Sequence, residues 1–143
     1  MAAVVEARRS LELVPDAHEA HFLLGNALAE TGDSAGAERH FRAALELRPR
    51  DHRIWNNLGG LLAERGDLDG AIEAFEAALA RDPDPAPVHF NLGLVHERAG
   101  RPARAAAEYE NALRLRPGWG QARRALGRAR GLPSEGGQAT LPR

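Results

Sequence analysis

Cysteine and lysine are both absent from this sequence of 143 residues, and each absence excludes a kind of chemistry. Without cysteine there is no disulfide framework, no thiolate zinc site and no cysteine nucleophile. Without lysine there is neither a lysine Schiff base nor the lysine of a phosphate-binding P-loop. All 19 basic residues are arginine.

Aromatic residues are also scarce, at 5% of the sequence, so the core has to be built mainly from alanine, leucine and glycine. Small side chains of this kind suit closely packed helices better than sandwiched sheets. No apolar run has the length of a signal-peptide core or a membrane span, and the net charge is only −1. The composition predicts an all-α protein located in the cytoplasm, with no membrane segment.

A repeat of 34 residues runs through most of the chain. Its columns hold a proline, a Leu-Gly pair, a second glycine, an alanine and an aromatic residue. They are Pro15, Pro49, Pro83 and Pro117; Leu24-Gly25, Leu58-Gly59 and Leu92-Gly93; Gly32, Gly66 and Gly100; Ala37, Ala71 and Ala105; and Phe41, Phe75 and Tyr109. So many aligned columns are typical of a repeat array.

Each period predicts two helices joined by a tight turn. The first helices are expected at about 18–31, 52–65 and 86–99. The glycine column then supplies a left-handed residue that ends the first helix, and Asp33, Asp67 and Pro102 start the second helix. We expect the Leu-Gly pair to let a neighbouring backbone approach closely while the leucine fills the seam.

These columns resemble the tetratricopeptide repeat, whose pattern runs W-x-x-L-G-x-x-Y, then A-x-x-x-F, then A and P. The second unit carries the pattern best, and the first and third units replace its tryptophan, Trp55, with His21 and His89. The resemblance implies an all-α fold, a right-handed superhelical solenoid of antiparallel helix pairs. Its units are expected at 18–51, 52–85 and 86–119.

Both ends of the sequence carry part of the same pattern. Residues 1–17 fit the second helix of a partial leading repeat, 120–130 a basic capping helix, and 131–143 a flexible tail. With no first helix in the leading repeat, the surface around Val4, Val5 and Leu11 is expected to lack its usual cover. Either the chain is a piece of a longer array, or this face meets a partner.

The resemblance implies a protein-interaction scaffold that binds a peptide or partner protein in the concave groove formed by the first helices. By resemblance, the groove residues are Phe22, Asn26, Arg53, Asn56, Asn57, Phe90, Asn91, Arg98 and Arg124. An asparagine carboxamide donates and accepts hydrogen bonds together, so it can pair with a peptide backbone whatever the side chains. The structural alternative is that these asparagines satisfy neighbouring loop carbonyls.

Metal and catalytic sites are not predicted. His18 and His21 lie one helical turn apart, and His89 and His96 two turns apart, but neither set has a third ligand. His21 and His89 stand in the tryptophan column, which favours partly buried packing with ordinary hydrogen bonds. The three serines have no glycine-flanked elbow, so we expect no catalytic residue, no cofactor and no enzymatic activity.

Charge is distributed unevenly along the chain. Residues 1–100 contain 10 Arg and 17 acidic residues, a net −7, whereas residues 101–143 contain 9 Arg and 3 acidic residues, a net +6. Opposite charges of this kind favour head-to-tail association between chains, and homo-oligomerisation through the leading helix is one alternative function. Nucleic-acid binding is not expected, because no aromatic residues are interleaved with the arginines. A further alternative is the recognition segment of a larger enzyme, such as a glycosyl- or sulfotransferase.

Overall fold

The computed structural model describes residues 3–5 and 18–131, and the chain divides into two compact units, Met1–Asp82 and Pro83–Arg143. The N-terminal unit contains α1 (His18–Glu30), α2 (Ser34–Leu47), α3 (His52–Glu64) and α4 (Leu68–Leu79). The C-terminal unit contains α5 (Ala86–Arg98), α6 (Pro102–Leu115) and α7 (Gly120–Ala129). Every regular element over 18–131 is a helix, so the predicted all-α fold class is confirmed.

The helices pack as pairs within each unit. In the N-terminal unit α1 packs against α2 and α3 against α4, while α2 and α3 join the two pairs. In the C-terminal unit α5 packs against α6, and α6 in turn packs against α7. The first helices α1, α3 and α5 end within one residue of the predicted positions.

Glycine ends the first helix of each pair, as predicted. Gly32, Gly66 and Gly100 have φ of +89°, +85° and +73°, which is the left-handed region that side chains other than glycine rarely adopt. In the first turn the Asp33 N–H donates to the Leu28 carbonyl at 2.9 Å, and the other two turns repeat this bond. The left-handed glycine thereby allows the next N–H group to donate a hydrogen bond to a carbonyl of the last helical turn, which would otherwise lack a donor.

Aspartate caps the second helices of the N-terminal unit. The Asp33 carboxylate accepts from the Gly36 N–H at 2.9 Å, and Asp67 accepts from Gly70 at 3.0 Å. In the C-terminal unit α6 begins instead with Pro102, whose missing N–H and fixed φ suit the first turn of a helix.

An aromatic ring covers the glycine of each Leu-Gly pair. A Cβ added to Gly25, Gly59 or Gly93 would lie within 3 Å of the aromatic ring sixteen residues further along the chain. These rings belong to Phe41, Phe75 and Tyr109, all fully buried. At all three glycines the nearest atoms belong to the ring, and at Gly25 the backbone carbonyl oxygen of Ala37 also lies 3.3 Å from the added Cβ, so a neighbouring backbone does approach there as expected.

Most of the two predicted end segments lies outside the described residues. Of the partial leading repeat, only residues 3–5 are described; they are helical, with Val4 buried and Val5 65% exposed. Leu11 falls outside the described part, as does the predicted tail apart from Gly131. No helix in the described parts of the chain is long and apolar enough to cross a membrane.

Candidate functional site

The nine candidate groove residues lie on first helices, five in the N-terminal unit and four in the C-terminal unit. Those of the N-terminal unit are Phe22 and Asn26 on α1, and Arg53, Asn56 and Asn57 on α3. Those of the C-terminal unit are Phe90, Asn91 and Arg98 on α5, and Arg124 on α7.

Asn26 and Asn57 are brought together by the packing of the N-terminal unit. Asn57 Nδ2 donates a hydrogen bond of 2.7 Å to Asn26 Oδ1, and both side chains are half-buried. This bond leaves the Asn57 carbonyl oxygen and the Asn26 amide hydrogens for other partners. One turn before Asn26, on the same face of α1, Leu23 is 52% exposed, which is unusual for a large apolar side chain of this protein.

Phe22 and Arg53 also meet, but Phe22 is buried. The Arg53 guanidinium lies 4.9 Å from the centre of the Phe22 ring and covers it, so the ring is held in a cation–π contact. Arg53 also donates to Glu19 on α1, at 3.0 Å, and to Asp51 at 2.7 Å. A partner could reach the guanidinium, which is partly exposed, but Phe22 only at its edge.

These hydrogen bonds shift the pKa values of two charged groups at the N-terminus of α3. The hydrogen bond from Arg53 lowers the pKa of the Asp51 carboxyl below its ordinary value, against the opposite effect of burial. Hydrogen bonds to Asp51 and Glu19 raise the pKa of Arg53. Asp51 and Arg53 are therefore both charged at neutral pH, and the Arg53 guanidinium lies between the carboxyl groups of Asp51 and Glu19.

Asn56 differs from Asn26 and Asn57, the other candidate asparagines of the N-terminal unit. Its Oδ1 is buried and accepts no hydrogen bond from any described residue. A buried amide oxygen without a donor destabilises the folded chain by about 1–3 kcal/mol. This feature was not predicted from the sequence, where the resemblance placed Asn56 in the groove together with Asn57.

In the C-terminal unit Phe90 belongs to an aromatic cluster. Its ring lies 5.7 Å from that of Tyr109 and 4.8 Å from that of Trp119, centre to centre. Asn91 is half-buried, whereas Arg98 and Arg124 are exposed. Trp119 was missed by sequence reasoning because it lies in the turn before α7, outside the repeat columns.

A second feature of this unit was also missed, a network centred on Glu97. The Tyr109 hydroxyl donates to Glu97 at 2.6 Å, and Arg128 on α7 donates twice to the same carboxylate, at 2.9 and 3.0 Å. Burial alone would raise the pKa of Glu97, but the hydrogen bonds from Arg128 and Tyr109 outweigh it and hold the pKa below its ordinary value. Burial and the bond to Glu97 raise the pKa of Tyr109. The network attaches α7 to the pair α5–α6.

The two histidines of the tryptophan column are half-buried and hydrogen-bonded, as predicted. His21 Nδ1 lies 3.1 Å from Nδ1 of His40, and His89 Nδ1 lies 2.7 Å from an oxygen of Glu108. In each case the partner follows by nineteen residues, on the second helix of the same pair. Over the described ranges, no cluster of three or more histidine or carboxylate side chains could hold a metal ion.

A family model for the tetratricopeptide repeat matches residues 1–38, 26–86 and 62–122. Among solved structures, MamA has a TM-score of 0.83 and 23% identity, covering 88% of this chain and 74% of its own. PilF of Pseudomonas aeruginosa has a TM-score of 0.81 and 29% identity, covering 87% of this chain and 57% of its own. YrrB, described as a tetratricopeptide-repeat protein with an unusual peptide-binding site, has a TM-score of 0.77 and 20% identity, covering 86% of this chain and 63% of its own.

The chain belongs to the tetratricopeptide repeat family, since the family model covers most of its length. No curated protein gave a significant match. Tetratricopeptide-repeat proteins are protein-interaction scaffolds, and proteins of this fold are generally non-enzymatic. Nothing in these similarities supports the alternative of an enzyme's recognition segment.

Proposed function

We propose that the first-helix surface of the N-terminal unit binds an extended segment of a partner polypeptide. The observation that carries this proposal is the hydrogen-bonded pair Asn26–Asn57. The pair fixes both carboxamides, so little side-chain entropy is lost when the remaining donor and acceptor groups bind a peptide unit.

The neighbouring groups complete a binding surface of mixed character. Exposed Leu23 offers an apolar contact for one side chain of the partner, and its burial would contribute up to about 1.5–3 kcal/mol. At the other end Arg53 is paired with Glu19 and Asp51, so it orients a partner without being a lone positive charge. We expect the partner to be recognised through its backbone and one apolar side chain rather than through a charged terminus.

The other candidates keep a secondary role in the proposal. Half-buried Asn91 and exposed Arg98 on α5, and exposed Arg124 on α7, are proposed separately as contact residues of the C-terminal unit. Phe22 and Phe90 support the proposal as packed rings beneath accessible side chains. We propose no contact with the buried oxygen of Asn56.

The test uses short peptides selected from a random displayed library against the wild-type protein. The double variant Asn57→Ala with Asn91→Ala is expected to bind a selected peptide about 1–3 kcal/mol more weakly, because hydrogen bonds to the peptide backbone are lost. Titration calorimetry measures the affinities, and circular dichroism checks that helicity is unchanged.

The matched control is Glu73→Ala, a change at an exposed position of α4, the second helix of its pair. It should leave peptide affinity unchanged. Equal affinity of the double variant and the wild type would contradict the proposed site. Weaker binding by Asn57→Ala alone, with no further effect of Asn91→Ala, would confine the site to the N-terminal unit.

We also propose that the chain catalyses no reaction itself and acts in the cytoplasm. Family membership supports the first statement, and the second rests on the sequence alone. Assay of the purified protein against general hydrolase substrates, and fractionation of cells that produce it, test the two statements separately.

A further inference from the structure

One glycine of the N-terminal unit has no structural cause among the described residues. This residue is Gly60, in the interior of α3. After proline, glycine is the residue least favourable to a helix interior. A Cβ added at Gly60 would meet no described atom within 4 Å, and the φ of Gly60 is not positive. Neither close packing within the unit nor backbone conformation therefore requires a glycine at this position.

The other glycines described in this unit form three pairs, and each pair has such a cause. An aromatic ring covers the first pair, the second pair has a positive φ, and a Cβ added to the third pair would collide with the carboxylate of the capping aspartate. These pairs are Gly25 and Gly59, Gly32 and Gly66, and Gly36 and Gly70. Gly60 is therefore the one exception among the glycines described in the N-terminal unit.

Gly60 lies on the first-helix surface assigned above to the partner. It follows Asn57 by three residues and precedes Glu64 by four, so the three residues share one face of α3. In the repeat register Gly60 corresponds to Asn26 of α1, whose side chain accepts the hydrogen bond from Asn57. Where α1 presents a carboxamide, α3 therefore presents bare backbone, next to the Asn26–Asn57 pair.

We propose that the partner's extended main chain runs along α3 from Asn57 to Glu64 and passes directly over Gly60, an inference that rests on the function proposed above. The missing side chain lets a second backbone approach the helix closely. The carboxamides of Asn26 and Asn57 then lie beside the passing peptide groups and can pair with them. A side chain at position 60 would hold the partner away from both carboxamides.

The charge of this face identifies the kind of partner. Glu30 and Glu64 occupy the same column near the ends of α1 and α3, and both are exposed. Neither carboxylate forms an ion pair with a described residue. Together with Glu19 and Asp51 they place four carboxylates against one guanidinium, that of Arg53, which gives the face a formal net charge of −3. Charge complementarity therefore favours a basic partner segment.

The helix geometry also sets the expected spacing within that segment. Asn57 and Glu64 are separated along α3 by about 10 Å, which equals the length of about three extended residues. An arginine or lysine that reaches Glu64 should therefore lie about three positions from the peptide unit that Asn57 binds. Exposed Leu23, in the column of Asn57, remains the contact for an apolar side chain.

The test places leucine at two open helix glycines, Gly60 and the matched control Gly127. An added Cβ meets no described atom within 4 Å at either position. Neither variant should have a lowered melting temperature, because leucine favours a helix more than glycine does. The probe is a peptide selected from a random displayed library against the wild type, and calorimetry measures its affinity. Gly60→Leu should bind it at least about tenfold more weakly and Gly127→Leu as well as the wild type, with Gly60→Ala between them.

A second measurement tests the charge of the partner. Basic residues should be enriched among the selected peptides. The double variant Glu30→Gln with Glu64→Gln should bind them about threefold to tenfold more weakly, and salt should reduce this difference. The matched control is Glu46→Gln with Glu76→Gln, at exposed positions of the second helices α2 and α4, and it should bind as the wild type does.

The outcomes distinguish failure of this inference from failure of the proposed function. If Asn57→Ala weakens binding and Gly60→Leu does not, the partner does not cross Gly60, and the inference is overturned while the proposed function stands. A melting temperature lower for Gly60→Leu than for Gly127→Leu would assign the glycine to internal packing and overturn the inference as well. Selected peptides without basic residues overturn the assignment of a basic partner. If no peptide is selected, or if neither Asn57→Ala nor Gly60→Leu changes the affinity, the proposed function itself fails.

Discussion

The two units cover the glycine of the Leu-Gly pair with different aromatic side chains, one apolar and one with a hydroxyl group. In the N-terminal unit the ring over Gly59 is Phe75, which has no polar atom to satisfy. In the C-terminal unit the ring over Gly93 is Tyr109, whose buried hydroxyl needs an acceptor and finds it in Glu97. The residue of the N-terminal unit that corresponds to Glu97 is alanine, so ring and acceptor change together.

The difference has a consequence for α7. Glu97 accepts from Tyr109 and from Arg128 of α7, so one carboxylate both satisfies the buried hydroxyl and holds the adjacent helix. The helix α7 buries little apolar surface, mainly Ala122 and Ala125. A charge-assisted network therefore supplements the apolar packing of α7, whereas the N-terminal unit has alanine, Ala29 or Ala63, at the position of Glu97.

The largest expected effect concerns the ring-covered glycines that both units share. Gly59→Leu and Gly93→Leu should each destabilise the fold by about 2 kcal/mol or more, because a side chain must displace the ring against it. Denaturant unfolding measures the loss. Gly127→Leu is the matched control and should cost nothing, because a Cβ added at Gly127 meets no described atom within 4 Å. If Gly59→Leu leaves stability unchanged, the packing described for the N-terminal unit is wrong.

The next largest effect is expected at Glu97, the hydrogen-bond acceptor that distinguishes the C-terminal unit from the N-terminal unit. Glu97→Ala should cost about 1–3 kcal/mol, because the Tyr109 hydroxyl stays buried without its acceptor. Adding Tyr109→Phe restores the combination found in the N-terminal unit and should recover part of that loss. A double variant less stable than Glu97→Ala alone would argue against this account.

The same variant gives a pH signature. The pKa of Glu97 in the folded chain lies below its ordinary value of 4.5, so its contribution is present at neutral pH and is lost as pH falls through the folded value. The stability gap between the wild type and Glu97→Ala should therefore shrink on acidification below about pH 4.5. A gap independent of pH would mean that the charge of Glu97 contributes nothing.

The smallest expected effect concerns the N-cap residues of the second helices α4 and α6. Asp67→Ala removes a carboxylate that caps α4 and should cost about 1 kcal/mol. Arg101→Ala, at the corresponding position before α6, should cost close to nothing, because Arg101 makes no side-chain cap and Pro102 already sets the first turn. Similar losses in the two variants would show that the cap bond is not what distinguishes them.

Much of the fold was predictable because it depends on local rules. The turn glycines, the capping aspartates and Pro102 act within a few residues of their own position, so each is identifiable in the sequence. The candidate site was predictable only as a set of first-helix positions. Which of these positions are accessible was not, and Phe22 and Asn56 illustrate the limit.

The sequence alone determined where the helices start and stop, and it did so through backbone preferences and a 34-residue period. Only the tertiary structure decided which side chains meet across helices. A ring rather than a backbone fills the space at Gly59, Asn57 donates to Asn26, and Glu97 links Tyr109 to Arg128. Such contacts join residues twelve or more positions apart, and their geometry depends on how whole helices pack rather than on any local pattern.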